Sequence, residues 1–154
     1  MKGYNRFGEE ILTELNGKVD AFVASIGTAG CAMGVAEGLK AKNPQTKVFI
    51  VDPSESPVIS KGTAGTHQIE GIGVGFIPPL LRREMYDDVV TVTEDDAKMM
   101  ARRLALEEGI FAGTSTGANV VAAIDQAKKM DEGARIVTVA VDTGLKYLST
   151  ELYR

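Results

Sequence analysis

A chain of 154 residues with 44% hydrophobic and 25% charged side chains is sized for one globular domain with a single sizeable core. A formal charge of −4 with no basic run argues against nucleic acid or an anionic membrane as partner, and no apolar stretch is long enough to span a bilayer. One cysteine and one histidine exclude an intrachain disulfide, a multi-cysteine zinc site and a histidine-based metal cluster. The stretch Met1-Lys2-Gly3-Tyr4-Asn5-Arg6 carries no apolar signal segment, so a cytoplasmic location is expected.

Residues 8–15 predict a short helix with Ile11, Leu12 and Leu15 on one face, stopped by Asn16-Gly17. Residues 19–26, mostly apolar between Gly17 and Gly27, predict a buried strand. The turn Gly27-Thr28-Ala29-Gly30-Cys31 follows, then a helix with Ala32, Val35, Ala36 and Leu39 at helical spacing, ending near Asn43-Pro44. Lys47 to Val51 predicts a second strand closed by Asp52-Pro53. Residues 53–87, rich in Gly, Pro, Ser and Thr, predict a long irregular loop of the kind that is functional or disordered. Within it, the glycine-spaced apolar run 71–79 can bring backbone close to a neighbour.

Val89 to Val92 predicts a third strand. Thr93 then caps a helix whose first turn holds Glu94, Asp95 and Asp96, where the helix dipole favours negative charge. Ala97, Met100, Ala101 and Leu104 form its buried stripe and Gly109 ends it. A short apolar step, 110–112, leads to a second small-residue turn, Gly113-Thr114-Ser115-Thr116-Gly117. A helix with Val120, Ala123, Ile124 and Ala127 inward comes next. Residues 135–141 predict the fourth strand, ending in Asp142-Thr143-Gly144. The alternation gives an α/β domain over 1–154: an open, mostly parallel sheet of about four strands with helices on both faces.

The turns at 27–31, 113–117 and 142–144 all follow strand-like segments, and in an open α/β sheet that edge binds ligands. Their Gly, Ser and Thr supply hydroxyls and bare amides, which suits a polar or anionic cofactor but provides no general base, nucleophile or metal ligand. The turn 27–31 reads either as a plain strand-to-helix turn or as a phosphate cradle at a helix N-terminus. Gly27, Gly30 and Gly34 miss the dinucleotide spacing, although Asp52 at a strand end could still read a ribose hydroxyl in a nucleotide-binding domain. Cys31 reads as a thiol activated by the helix end or as a small packing residue. His67 reads as an ordinary loop residue.

Together these motifs resemble the C-terminal half of cysteine synthase (O-acetylserine sulfhydrylase), of the pyridoxal-phosphate family that includes cystathionine β-synthase. Gly27-Thr28-Ala29-Gly30-Cys31 stands where that family has Gly-Thr-Gly-Gly-Thr, the loop around the cofactor phosphate. Pro57-Val58-Ile59-Ser60 and the run Gly71 to Pro78 resemble two further family stretches, the second bordering the active site. Gly113-Thr114-Ser115-Thr116-Gly117 resembles Gly-x-Ser-Ser-Gly, whose first serine bonds the pyridine nitrogen. Asp142-Thr143-Gly144 and Tyr147-Leu148-Ser149-Thr150 resemble the family's closing motifs.

The resemblance implies pyridoxal phosphate held by Gly27, Thr28, Ala29, Gly30, Cys31, Ser115 and Asp142, with Gly71, Ile72, Gly73 and Phe76 along the substrate cleft. It implies β-replacement on an activated serine: acetate leaves, then sulfide adds to give cysteine. A serine rather than a carboxylate at the ring nitrogen keeps that nitrogen less protonated, which suits elimination over transamination. The family's first half, with its Schiff-base lysine and Thr-Ser-Gly-Asn loop, has no counterpart here, and Lys61 and Lys146 match no such position. The resemblance therefore implies a half-enzyme without a catalytic residue of its own. Its expected partners are a missing N-terminal half, a second copy of itself, or serine acetyltransferase. The alternatives are a non-catalytic fragment or split subunit, and a nucleotide-binding domain.

Overall fold

The computed structural model describes residues 2–154; Met1, the first residue of the N-terminal stretch read above, lies outside them. The elements run α1 (Lys2–Glu14), β1 (Ala21–Ser25), α2 (Gly30–Lys42), β2 (Lys47–Pro53), α3 (Val58–Lys61), β3 (Asp88–Val92), α4 (Glu94–Glu107), α5 (Thr114–Ala127) and β4 (Ile136–Thr138). Single 3₁₀ turns lie at Arg83–Met85 and Gly144–Tyr147. The four strands form one open sheet in the order β3-β2-β1-β4, every pair parallel.

Alternation along β1 sorts the core into two layers. Phe22 and Ala24 pack with Val48, Ile50, and Val35 and Leu39 of α2, and α1 adds Ile11 and Leu12. Val23 faces the other way, with Val51, Ala97 of α4, and Ala118 and Ala122 of α5. Helices therefore cover both faces, as the strand–helix alternation predicts. Thr93 caps α4 by accepting the Asp96 amide at 3.1 Å.

Four elements differ from the sequence expectation. One is α5, which buries Ala118, Asn119, Ala122 and Gln126 against the sheet and α4 rather than Val120, Ala123, Ile124 and Ala127, leaving Ile124 40% exposed. The first helix begins at Lys2 rather than at residue 8. Gly8, which by propensity argues against an earlier start, lies where α1 crosses α2, and a methyl there would meet the Val35 carbonyl and the Gly38 backbone. The loop 53–87 is not wholly irregular, because the Asp52 carboxylate accepts the Ile59 and Ser60 amides at 3.0 and 3.2 Å and starts α3. The last strand spans three residues instead of seven. Its ladder with β1 stops at the Val23–Thr138 pair. There the Asn119 side chain enters, accepting from the Ser25 amide at 2.7 Å and donating to the Val139 carbonyl at 2.9 Å. One amide side chain thus replaces the next rung and parts the strands where the ligand edge begins.

Candidate cofactor site

At the carboxyl ends of β1 and β4 the chain encloses a cleft of about 590 Å³. The turn between β1 and α2 forms one wall. Gly27 sits there because a side chain would strike the Gly71 carbonyl, so two backbones meet. Ala29 is held in the left-handed region at φ 67°, and α2 starts immediately after it with no side-chain cap. A non-glycine residue in that region carries roughly 1–2 kcal/mol of strain.

The first intrahelical bond is Met33 N–H to the Ala29 carbonyl at 2.9 Å. The amides of Gly30, Cys31 and Ala32 therefore have no helical acceptor; that of Gly30 reaches only the Thr28 hydroxyl, at 3.4 Å. No acidic side chain occupies the first turn of α2. These donors and the positive end of the helix dipole lie at the cleft wall, an arrangement that suits an anion. Burial pushes the Cys31 thiol up, so it is a neutral, half-buried packing group rather than an activated thiolate.

The opposite wall is the N-terminus of α5. Ser115 is 2% exposed and lines the cleft, and no hydrogen bond ties its hydroxyl to another described residue. Its neighbour Thr116 is engaged, accepting the Val141 amide at 3.0 Å. Asp142 closes the site: its Oδ2 accepts from the Tyr147 hydroxyl at 2.8 Å, while its Oδ1 is buried without a partner. Burial and the Asp142 carboxylate push the Tyr147 phenol far above its ordinary value, which keeps it a proton donor.

Of the residues expected around the cofactor, Gly27, Thr28, Ala29, Gly30, Cys31, Ser115 and Asp142 all line this one cleft. The expected substrate side divides. Gly71 and Ile72 reach the cleft, but Gly73 and Phe76 lie beyond it, beside Val58 and Pro78. Ile72 is not the exposed apolar residue that its glycine-rich setting suggests; it is 7% exposed and packs with Val23, Val51 and Ala118. Asp52, a candidate ribose reader, is instead taken up by α3, and burial holds its carboxyl above the usual range despite the Ser60 and Ile59 bonds. Tyr4, Phe7, Glu70, Asn119 and Lys146 also line the cleft. The sequence alone gave no sign of the first four, and Lys146 stood out only as a replaced arginine.

Comparison with known proteins gives the family. Residues 1–142 match the family model described as pyridoxal-phosphate dependent enzyme. The chain belongs to that family. It is 46% identical over 147 residues to cysteine synthase of Staphylococcus aureus (strain N315), covering 95% of this chain and 47% of that protein. It is 43% identical over 142 residues to the probable cysteine synthase of Bacillus subtilis (strain 168), covering 92% of this chain and 46% of that protein. The crystal structure of O-acetyl serine sulfhydrylase isoform 3 from Entamoeba histolytica superposes with a TM-score of 0.96 at 40% identity, over 99% of this chain and 46% of that one. The fold is cysteine synthase-like, and the chain spans about half the length of the curated relatives it matches.

The family's cofactor fits what is present. An uncapped helix start suits its phosphate, and the Ser115 hydroxyl, at the cleft wall and unused by any described residue, suits a ring nitrogen. Among the described residues no cluster of acids, cysteine and histidine could hold a metal ion, and no helix is long and apolar enough to cross a membrane.

Proposed function

We propose that this chain is the cofactor-holding half of a cysteine synthase-type enzyme, completed by a second polypeptide segment. The amides of Gly30, Cys31 and Ala32, with Gly27 and Thr28 beside them, would hold the phosphate of pyridoxal phosphate. Ser115 would take the ring nitrogen. Asp142, fixed by Tyr147, would keep the entry to α5 in place. When bound, the cofactor supplies an electron sink for bond breaking next to an amino-acid α-carbon. Because Ser115 is neutral, it would hold the ring without forcing a proton onto it, which suits β-replacement that makes cysteine from O-acetylserine and sulfide. Gly71 and Ile72 would bound the substrate side, with Gly73 and Phe76 meeting whatever covers the cleft.

The observation that carries this reading is the pairing, across one cleft, of first-turn amides of α2 without a helical acceptor with a serine hydroxyl that no described residue uses. The lysine that would bind the cofactor covalently belongs to the missing part. Completion could come from a separate N-terminal half or a second copy; serine acetyltransferase would be a further partner, in the cytoplasm. The half as it stands has reason to associate: β4 is an outer strand, Val141 beyond it is 53% exposed, and Phe76 and Ile77 are 59% and 60% exposed.

The test adds pyridoxal phosphate to the full chain, follows the backbone amides, then reduces with borohydride and maps the peptides, with light scattering on the same samples. Shifts at Gly27 to Ala32 and Ser115, no stoichiometric lysine adduct, and a mass above the monomer are expected. Unmoved amides in that turn would overturn the cofactor reading. A stoichiometric adduct on one lysine, Lys146 included, would overturn the need for a second chain, and a monomer at high concentration would overturn the self-association.

A further inference from the structure

His67 lies in the loop between α3 and β3, outside the cleft wall. Its ring nevertheless connects to the phosphate turn through a short series of contacts. The Ile69 amide donates to His67 Nδ1 at 3.2 Å, which makes Nδ1 an acceptor and leaves the proton on Nε2. Nε2 then donates to the Gly73 carbonyl, also at 3.2 Å. Gly73 has φ 60°, and a side chain there would strike the imidazole and the Pro53 ring, so the glycine lies flat against both. Its own amide donates to the Ile26 carbonyl at 3.1 Å, one residue before the turn. Two residues earlier in the strap, the Gly71 carbonyl abuts Gly27. Ile69 and Ile72, at 2% and 7% exposure, anchor the strap in the core between these bonds.

We infer that neutral His67, carrying its proton on Nε2, is a positioning residue that clamps residues 69–73 onto the end of β1 and so sets the shape of the phosphate turn. This rests on the reading of 27–32 as an anion site and names what holds that site in form. Without the ring, the Ile69 amide loses its acceptor and the Gly73 carbonyl its donor, and of these hydrogen bonds the strap keeps only that of the Gly73 amide to Ile26.

Sulfate is the probe. Its affinity for the full chain is measured at pH 7.5 on wild type and on His67 variants, together with the backbone amides of Gly27 to Ala32, Ile69 and Gly73. His67→Gln, which keeps a donor for Gly73, should bind sulfate within about twofold of wild type. His67→Phe, which keeps a ring but neither donor nor acceptor, should bind sulfate about fivefold more weakly, the scale of one hydrogen bond, with shifts at Gly27 to Ala32 as well as at Ile69 and Gly73. If His67→Phe does not fold, His67→Ala on the same readouts decides. Wild-type sulfate affinity with unmoved Gly27 to Ala32 amides in the folded variant would overturn the clamp. Absence of sulfate binding to the wild type would count against the anion site alone, because the Gly27 to Ala32 amides still report on the clamp.

Discussion

The two ends of the sheet treat their polar groups differently. At the amino ends of the strands, polar groups answer one another. Asp87 accepts from the Val48 amide and from Lys40 and Lys47, Asp20 accepts the Arg135 amide at 2.7 Å, and the buried Thr46 hydroxyl donates to the Val19 carbonyl. At the carboxyl ends, Asn119 and Thr116 are likewise engaged, but the first-turn amides of α2, the Ser115 hydroxyl and Asp142 Oδ1 are left over. Asp142 Oδ1 is buried without a partner, a cost to stability that a ligand in the cleft would relieve. If the carboxyl end is kept for binding, as proposed, substitutions there should separate from those at the amino end, whose groups serve the fold.

The largest effect should come from Gly27→Ala. The added methyl meets the Gly71 carbonyl, which is backbone and cannot swing aside. A cost of about 3 kcal/mol in denaturant unfolding is expected, with loss of sulfate or cofactor binding, since the strap and the turn must part. Gly30→Ala is the control at the same turn. The nearest atom to a methyl there is the Thr28 hydroxyl at 3.4 Å, so stability should stay within about 0.5 kcal/mol. Equal losses in the two variants would mean that close backbone approach is not what shapes the turn.

Asp87→Asn probes the opposite end. Burial pushes this carboxyl up, but the Val48 amide and the Lys47 and Lys40 ammonium groups outweigh it and hold it below its ordinary value. A carboxyl lowered by folding contributes stability that is full above the unfolded value near pH 4 and disappears as pH falls through the folded value. Asp87→Asn should therefore cost about 1–2 kcal/mol at pH 7 and progressively less below pH 4, where the two unfolding curves converge. Anion binding at the carboxyl end should not change. A constant gap down to pH 2 would mean that the aspartate acts by shape rather than charge.

Most of the fold was legible in the sequence because strand–helix alternation and caps are local signals, and Thr93 and the buried stripe of α4 follow them. The differences arise where a distant residue decides. Gly8 looks like a helix breaker until α2 lies against it, and Val139 to Val141 look like strand until Asn119 takes the Val139 carbonyl and Thr116 the Val141 amide. That Gly27 to Cys31, Ser115 and Asp142 share one cleft was legible through their motifs, since small residues after strands carry their meaning in order and spacing. The course of residues 71–76 was less so. Ile72 is buried and Gly73 is turned to His67 by contacts among the strap, β1 and Pro53, none of which a linear reading contains.

Ala29→Gly should stabilise the chain. The left-handed backbone at φ 67° penalises alanine by roughly 1–2 kcal/mol, and glycine's greater unfolded-state freedom returns part of that. A net gain of about 0.5–1 kcal/mol is expected, with sulfate binding equal or slightly tighter, because the amides keep their places. Destabilisation would mean that packing of the Ala29 methyl, 3% exposed, outweighs the backbone strain.

The smallest change in stability should be that of Ser115→Ala, and it is the most direct test of the contrast within one helix turn. Ser115 and Thr116 are adjacent, each 2% exposed, and both hydroxyls sit at the start of α5. Thr116 Oγ1 accepts the Val141 amide, so Thr116→Val leaves that amide without its acceptor, and a loss of about 1–2 kcal/mol should follow. No described residue uses the Ser115 hydroxyl in this way. Ser115→Ala should therefore unfold within about 0.5 kcal/mol of wild type, while weakening the hold on the ring of pyridoxal phosphate. Sulfate, which engages only the phosphate turn, should bind the serine variant as it binds the wild type. Measuring unfolding, sulfate affinity and cofactor affinity on both variants separates a hydroxyl kept for the fold from one kept for a ligand. If Ser115→Ala costs as much stability as Thr116→Val, the serine belongs to the scaffold and the cleft loses its ring-nitrogen partner.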